Sequence, residues 1–338
     1  MQKSTQALLA GGAGAALTWF ALRRTHLDLR GKSVLITGGS RGLGLLMARE
    51  FSNQGARLTL VARDEAELDR AQYDLLTRNR QAPAIVIGDV ADERTARRSV
   101  EAALDAHGRL DILVNNAGII QTGPLQTMSR HDFAQAMDVH FWGMYHMIMA
   151  AQPHLRHSGK GRIVNITSIG GKLAVPHLLP YAASKFAAVG LSDGLRAELA
   201  AEDISVTTVV PGLMRTGSPV NARFKGRHKQ EYFWFTVSDS LPITSINAQR
   251  AARQIIAACR RGQPQLVIGW QAQALILAQA LAPGLVARMT KLAARLLPDA
   301  PESGGKREYS GWESQSKLAP SGLTALSDQA ALQNNEIR

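Results

Sequence analysis

Residues 37–44 read TGGSRGLG. Just before them, SVLI at 33–36 is a short apolar run, and just after them a helical pattern runs to Gln54. A glycine-rich turn between a strand and a helix lets the backbone bend tightly and approach an anionic ligand closely. The helix start then offers free N–H groups and the positive end of its dipole. Gly38, Gly42 and Gly44, with Ser40, Arg41 and Leu43 among them, give G-x-x-x-G-x-G rather than the commoner G-x-G-x-x-G. The alternative is a structural turn that binds nothing, so the residues beyond the turn decide the reading.

Outward from that turn the alternation repeats. Apolar runs RLTLVA, AIVIGD, DILVNNAG, RIVNIT, SVTTVVPG and QLVIG come in succession, separated by helical patterns at 65–79, 92–107, 130–152, 180–202 and 247–261. Strands alternating with helices of this length read as βαβ units. Their near-continuous apolar character implies a parallel sheet covered on both faces. The expectation is an α/β fold: one doubly wound, seven-stranded parallel Rossmann-type sheet over 31–270, with no internal linker.

The two ends differ in character. Residues 7–22 carry no charge and are followed by Arg23 and Arg24. Within an N-terminal segment 1–30, that run is slightly short for a span of the hydrocarbon core. A membrane anchor, a signal peptide and an ordinary helix stay open, and Arg30 and Lys32 would keep the following domain cytoplasmic. Over 271–298 a helical extension places Arg288, Lys291 and Arg295 on one face and Leu285, Met289, Leu292 and Leu296 on another. That pattern suits a membrane surface or a helix packed on protein. Residues 299–338 are polar, with Gly, Ser and Pro, and are expected to be a disordered tail.

Composition narrows the partners. The 338 residues are 45% hydrophobic with a net charge of +12, but the basic residues form no long block. Nucleic acid is therefore not expected, and an anionic membrane surface fits better. The single cysteine, Cys259, allows no intramolecular disulfide and fits a reducing compartment. The Asn165-Ile166-Thr167 sequon falls inside an apolar strand and reads as structure. No metal site is expected.

The second strand ends in Ala62 and Arg63. A carboxylate there would bond the ribose hydroxyls of NAD and repel a 2′-phosphate. Its absence, with Arg41 in the glycine turn and Arg63 beside it, points to NADP(H), because two guanidiniums can clamp a phosphate. Two solvated surface arginines are the alternative.

Further motifs come in order. Asp89-Val90 ends strand three, Asn115-Asn116-Ala117-Gly118 ends strand four, and Ser168 follows strand five. Tyr181 and Lys185 form Y-x-x-x-K, and Pro211-Gly212 ends strand six with Thr216 just beyond. Together with the glycine turn, this set resembles the short-chain dehydrogenase/reductase family across residues 31–270. Tyr181 and Lys185, four apart, share a helix face. An adjacent ammonium would lower the tyrosine pKa from roughly 10. The resemblance implies that Tyr181 exchanges a proton with the substrate oxygen, that Ser168 orients it, and that Lys185 also holds the nicotinamide ribose. It implies that Asp89 contacts the adenine, that the stretch Asn115, Asn116, Ala117 and Gly118 lines the cofactor, and that Pro211, Gly212 and Thr216 lie at its nicotinamide end. It also implies a homodimer or homotetramer.

One position departs from the family. His140 stands where an asparagine is usual, in HFWG at 140–143. Three readings are open: the imidazole replaces the amide in a catalytic proton relay, it is a packed helix residue, or the chemistry is lost and a silent NADPH-binding scaffold remains. The segment ARFKGRHKQEYFWF, with Phe224, Tyr232, Phe233, Trp234 and Phe235, reads as a lid over a hydrophobic carbonyl or alcohol substrate, with core packing as the alternative. The functional expectation is an NADP(H)-dependent oxidoreductase acting on a lipid-, steroid- or retinoid-like compound, in either direction.

Overall fold

The computed structural model describes residues 26–79, 81–302 and 304–337, so the apolar run at 7–22 lies outside the described residues. Seven strands form one parallel sheet: β1 (Ser33–Thr37), β2 (Arg57–Ala62), β3 (Ala84–Ile87), β4 (Ile112–Asn115), β5 (Arg162–Ile166), β6 (Ser205–Pro211) and β7 (Gln265–Ile268). Their order is β7-β6-β5-β4-β1-β2-β3. The chain reverses direction across the sheet between β1 and β4, and ligands of such sheets bind beyond the strand ends at that switch point.

The strands are buried because both faces are covered. Helices α1 (Gly42–Asn53) and α2 (Glu65–Asn79) pack on one face with α8 (Ala248–Arg261). Helices α3 (Glu93–His107), α5 (Gly143–His157) and α6 (Leu179–Glu198) cover the other. The apolar positions of β1 divide between the two cores, with Val34 and Ile36 in one and Leu35 in the other. Asn165 of the sequon is buried and donates to Ser192 Oγ at 2.9 Å, as a structural residue would.

Three findings differ from the sequence expectation. The helix expected over 130–152 is present, but it carries a π-turn and runs on to His157. Helix α4 (Arg130–Met137) runs into a π-helical turn at Asp138–Trp142, where hydrogen bonds reach back five residues, before α5 continues. Past β7, helices α9 (Trp270–Leu281) and α10 (Pro283–Ala294) are two separate helices divided at Ala282, and only Ala272 and Val286 in them are buried. The described residues thus do not cover the apolar face of α10.

The third difference is a correction. The described residues of 299–338 are not a structureless tail. Tyr309–Ser310 pairs antiparallel with Arg223–Phe224, which pairs with Gln121–Thr122. Helix α11 (Ala325–Gln333) packs against α7 (His228–Ser240), and Ser327 Oγ donates to Asp239 Oδ2 at 2.9 Å. The polar composition misled because these side chains are buried in pairs: Ser314, Thr324, Ser327, Asn334 and Glu336 are each no more than 5% exposed.

Among the described residues, no helix is long and apolar enough to cross a membrane.

Candidate active site

The glycine turn is built to bring backbone close to backbone. Gly38 and Gly42 adopt φ of +62° and +55°. A Cβ on Gly44 would stand 1.9 Å from the Gly38 carbonyl oxygen, so only glycine permits the turn. Asn116 ties it to the end of β4, donating from Nδ2 to the carbonyls of Thr37 and Gly38 at 3.1 and 3.0 Å. Thr37 Oγ1 in turn accepts the N–H groups of Asn116 and Ala117. The cradle fits a dinucleotide pyrophosphate: Cβ-free backbone facing the cavity, at the N-terminus of α1.

At the end of β2, Ala62 carries no acid and Arg63 lies half-exposed, its Nη1 3.6 Å from Asp89 Oδ2. Arg41 is more tightly engaged. Its Nη1 lies 3.3 Å from Glu67 Oε1, and its Nε lies 3.5 Å from Glu336 Oε2. Ser40 Oγ donates to Glu67 Oε2 at 2.9 Å. Glu67 was not among the residues singled out in the sequence. Its only local signal is its place in the first turn of α2, where its N–H is capped by Asp64 Oδ1 at 2.9 Å.

The catalytic candidates converge beyond β5. Ser168 Oγ accepts the Gly170 N–H at 3.0 Å. Helix α6 sets Tyr181 and Lys185 one turn apart, with Lys185 Nζ 5.7 Å from the Tyr181 ring centre and donating to the Ile166 carbonyl at 3.0 Å. Burial pushes the Lys185 pKa down to about 8. Burial also raises the Tyr181 pKa, with the Ser168 hydroxyl working the other way. The expected lowering by the lysine charge is therefore not what dominates: desolvation of the phenol wins.

His140 sits in the π-turn, 3% exposed. Its Nε2 accepts the Ile119 N–H at 3.1 Å. A backbone N–H can only donate, so Nε2 carries the lone pair and Nδ1 the proton. Nδ1–H then donates to Ser184 Oγ at 2.8 Å, and Ser184 donates to the Tyr181 carbonyl at 2.9 Å. The ring meets the Tyr181 ring edge-on at 5.4 Å between centres. Burial, with the Lys185 charge, holds its pKa well below the usual histidine range, so it is neutral. This bears on the relay: both ring nitrogens are committed to protein atoms, and no side-chain site remains for a relay water. Gly118 permits the fit, because a Cβ there would lie 3.1 Å from His140 Nε2.

Ser168, Tyr181, Lys185, His140, Arg41, Arg63 and Glu67 all border one cavity of about 1330 Å³. Every residue singled out in the sequence as catalytic or cofactor-binding lines it except Gly44, which packs beneath the turn, and Asn115, which is buried and donates to Asn165 Oδ1 at 2.9 Å. Val90, Pro211, Gly212 and Thr216 sit on its wall. The aromatic lid is only partly so. Phe224 and Tyr232 are fully buried in a core cluster, whereas Trp234 and Phe235 reach the cavity. Ile120, Leu213, Met214 and Leu275 add apolar wall, and Trp312 and Glu336 of the tail also line it.

A family model described as short chain dehydrogenase matches residues 32–225. A dehydrogenase/reductase SDR family protein 7-like of Anopheles gambiae is 38% identical over 210 residues, 61% of this chain and 66% of that protein. Dehydrogenase/reductase SDR family member 7B of Bos taurus is 30% identical over 285 residues, 82% and 85% of the two chains. The 11-beta-hydroxysteroid dehydrogenase-like 2 of Arabidopsis thaliana is 32% identical over 73% of this chain and 76% of its own. L-sorbose reductase of Gluconobacter frateurii, solved with NADPH and L-sorbose, superposes with a TM-score of 0.64, covering 72% of this chain and 97% of that one. At 24% identity it is similar in fold alone.

Proposed function

The chain belongs to the short-chain dehydrogenase/reductase family, and from that premise we propose that it is an NADP(H)-dependent oxidoreductase acting on the carbonyl or alcohol of a hydrophobic substrate. The observation that carries this is the meeting of Ser168, Tyr181 and Lys185 at one apolar cavity that also opens onto the glycine turn. A bound nicotinamide supplies or accepts the hydride. Tyr181, its pKa raised by desolvation, gives its proton to a carbonyl oxygen, or takes one in the reverse direction. Ser168 donates a hydrogen bond to the same oxygen and fixes its position. Lys185, anchored on the Ile166 carbonyl, holds positive charge beside the phenol and would hold the nicotinamide ribose of a bound cofactor. His140 is a positioning residue: it locks the π-turn to Ile119 and, through Ser184, to the backbone of Tyr181.

Arg63 with Ala62 supports NADP(H). Glu67 supports the second reading, NAD(H), since its carboxylate shares the corner with Ser40 and Arg41 and would repel a 2′-phosphate. Trp234, Phe235 and Leu275 on the wall, and the steroid dehydrogenase-like names among the relatives, support an apolar substrate. The exposed Leu285, Met289 and Leu292 of α10 beside exposed Arg288 and Lys291 support docking of the domain on a membrane, facing the cytoplasm. Exposed Trp142, Met149 and Phe186 along the π-turn, α5 and α6 support a homo-oligomer through that face, which sedimentation as a monomer at micromolar concentration would exclude.

The test is NADPH oxidation by the purified chain in mild detergent against apolar ketones and aldehydes. Tyr181→Phe should abolish turnover while NADPH binding persists. Equal turnover by the variant would remove Tyr181 from the chemistry. Tight NADPH binding without turnover of any panel member would favour a silent scaffold.

A further inference from the structure

Residues 334–336 of the C-terminal segment reach the cofactor cavity, and Glu336 lines it. The Asn334 carbonyl accepts the Gly42 N–H, the donor that opens α1, at 2.8 Å. Asn335 takes a left-handed φ of 59°, which asparagine tolerates. Its Nδ2 donates to the carbonyls of Ser40 and Glu67 at 2.8 and 3.0 Å, and its Oδ1 accepts from Arg70 Nε at 2.7 Å. Glu336 is 4% exposed; its Oε2 faces Arg41 and accepts from Asn221 Nδ2 at 2.7 Å. Its Oε1 lies so near Gly42 that a Cβ there would be 2.5 Å away. Asn334 Nδ2 donates to the Thr216 carbonyl at 3.0 Å, so the tail bridges the two sides of the cavity.

A carboxylate beside a glycine turn, at a helix N-terminus and facing a guanidinium, has the chemistry of a bound phosphate. We propose that residues 334–336 are a built-in competitor of the dinucleotide: Asn334 and Glu336 fill the phosphate-binding end of the site, and the tail must leave before the cofactor seats. This rests on the dinucleotide reading given above. The two cannot share the turn, because the Gly42 N–H and Arg41 are already spent on the tail. The docked state is also held at a cost: burial, with Glu67 nearby, pushes the Glu336 carboxyl up to about 7. A polyanion with its own phosphates is thus positioned to displace a single reluctant carboxylate, and cofactor concentration becomes the switch.

The experiment measures NADPH and NADH affinity by calorimetry for three proteins: the full chain, the chain ending at Gln333, and full-length Glu336→Ala. If the docked tail is populated about ten to one, its removal tightens apparent binding about tenfold, since apparent affinity scales with the competent fraction. Glu336→Ala should tighten binding in the same direction without shortening the chain. In parallel, carboxypeptidase trimming of the full chain should speed up at saturating cofactor. Unchanged or weaker binding by both altered proteins, or slower trimming with cofactor bound, overturns the proposal; weaker binding with slower trimming would mean that the tail clasps the cofactor instead. Failure of all three proteins to bind either nucleotide overturns the dinucleotide reading itself and the proposal with it.

Discussion

Replacing His140 with alanine removes a ring whose two nitrogens are both in use and leaves the Ile119 N–H without its acceptor in a buried site. An orphaned buried donor costs about 1–3 kcal/mol, and the hole left by the ring adds to it. At pH 7.5 the expected loss of folding stability is about 3–5 kcal/mol. A pH dependence comes with it. Folded His140 stays neutral because burial and Lys185 hold its pKa well below 6.5, whereas the unfolded chain titrates it at the ordinary value. Below that value the unfolded state binds the extra proton, so the wild type loses stability as pH falls. Between pH 7.5 and 5.5 this amounts to roughly 1.4 kcal/mol. The alanine variant lacks the group, so its deficit should narrow by that amount. Asp239 and Glu336, both pushed up to about 7 by burial, titrate in the same range but do so in both proteins and cancel in the difference. Urea unfolding followed by tryptophan fluorescence at the two pH values measures the deficit. A deficit constant with pH would mean that the folded ring is not held neutral. No deficit at all would mean that the hydrogen bonds to Ile119 and Ser184 carry no weight. His140→Asn, which keeps one donor and one acceptor, should recover part of the loss but show none of the pH term.

Two further outcomes are expected. Arg63→Ala should weaken NADPH binding by about tenfold or more through lost charge-assisted bonds, and leave NADH within about twofold; equal effects on both would shift the reading toward NAD(H) and Glu67. Met289→Glu with Leu292→Glu, both exposed on α10, should lower co-sedimentation with anionic vesicles about tenfold while leaving the unfolding midpoint in place; full retention would take α10 out of the membrane contact.

The sheet was legible because each strand is a nearly unbroken apolar run, and burial on two faces demands that pattern. The Tyr181–Lys185 spacing was legible for a similar reason, as one helical turn fixes it. The π-turn at 138–142 was not: nothing in DVHFW distinguishes one extra residue per turn, and its stability comes from His140 reaching Ile119 on another element. The inward face of α7 could have been read. Tyr232, Phe235, Thr236 and Asp239 are buried at i, i+3, i+4 and i+7, which places Tyr232 in the core rather than on a lid. The tail was misjudged because hydrophobic patterning detects only apolar burial. Asn334, Asn335 and Glu336 bury polar atoms against partners more than a hundred residues away, and no local signal marks such pairing.

Burial acts on the three titratable groups of the site in one sense. It raises Tyr181, lowers Lys185 to about 8 and lowers His140 far enough to keep it neutral. Each shift moves the group toward its uncharged form, which is what an apolar wall imposes on any ion beside it. That wall, with Trp234, Phe235 and Leu275 in it, is also the feature that suits a hydrophobic substrate. Under the proposed function the two consequences belong together. A cavity dry enough to accept a steroid-like ring keeps Tyr181 protonated, the form that carbonyl reduction requires. Oxidation would instead need the phenolate in the same dry place, and the cation placed to steady it is Lys185, itself weakened by burial. Under the proposed function, Tyr181 thus stands in the form from which carbonyl reduction starts.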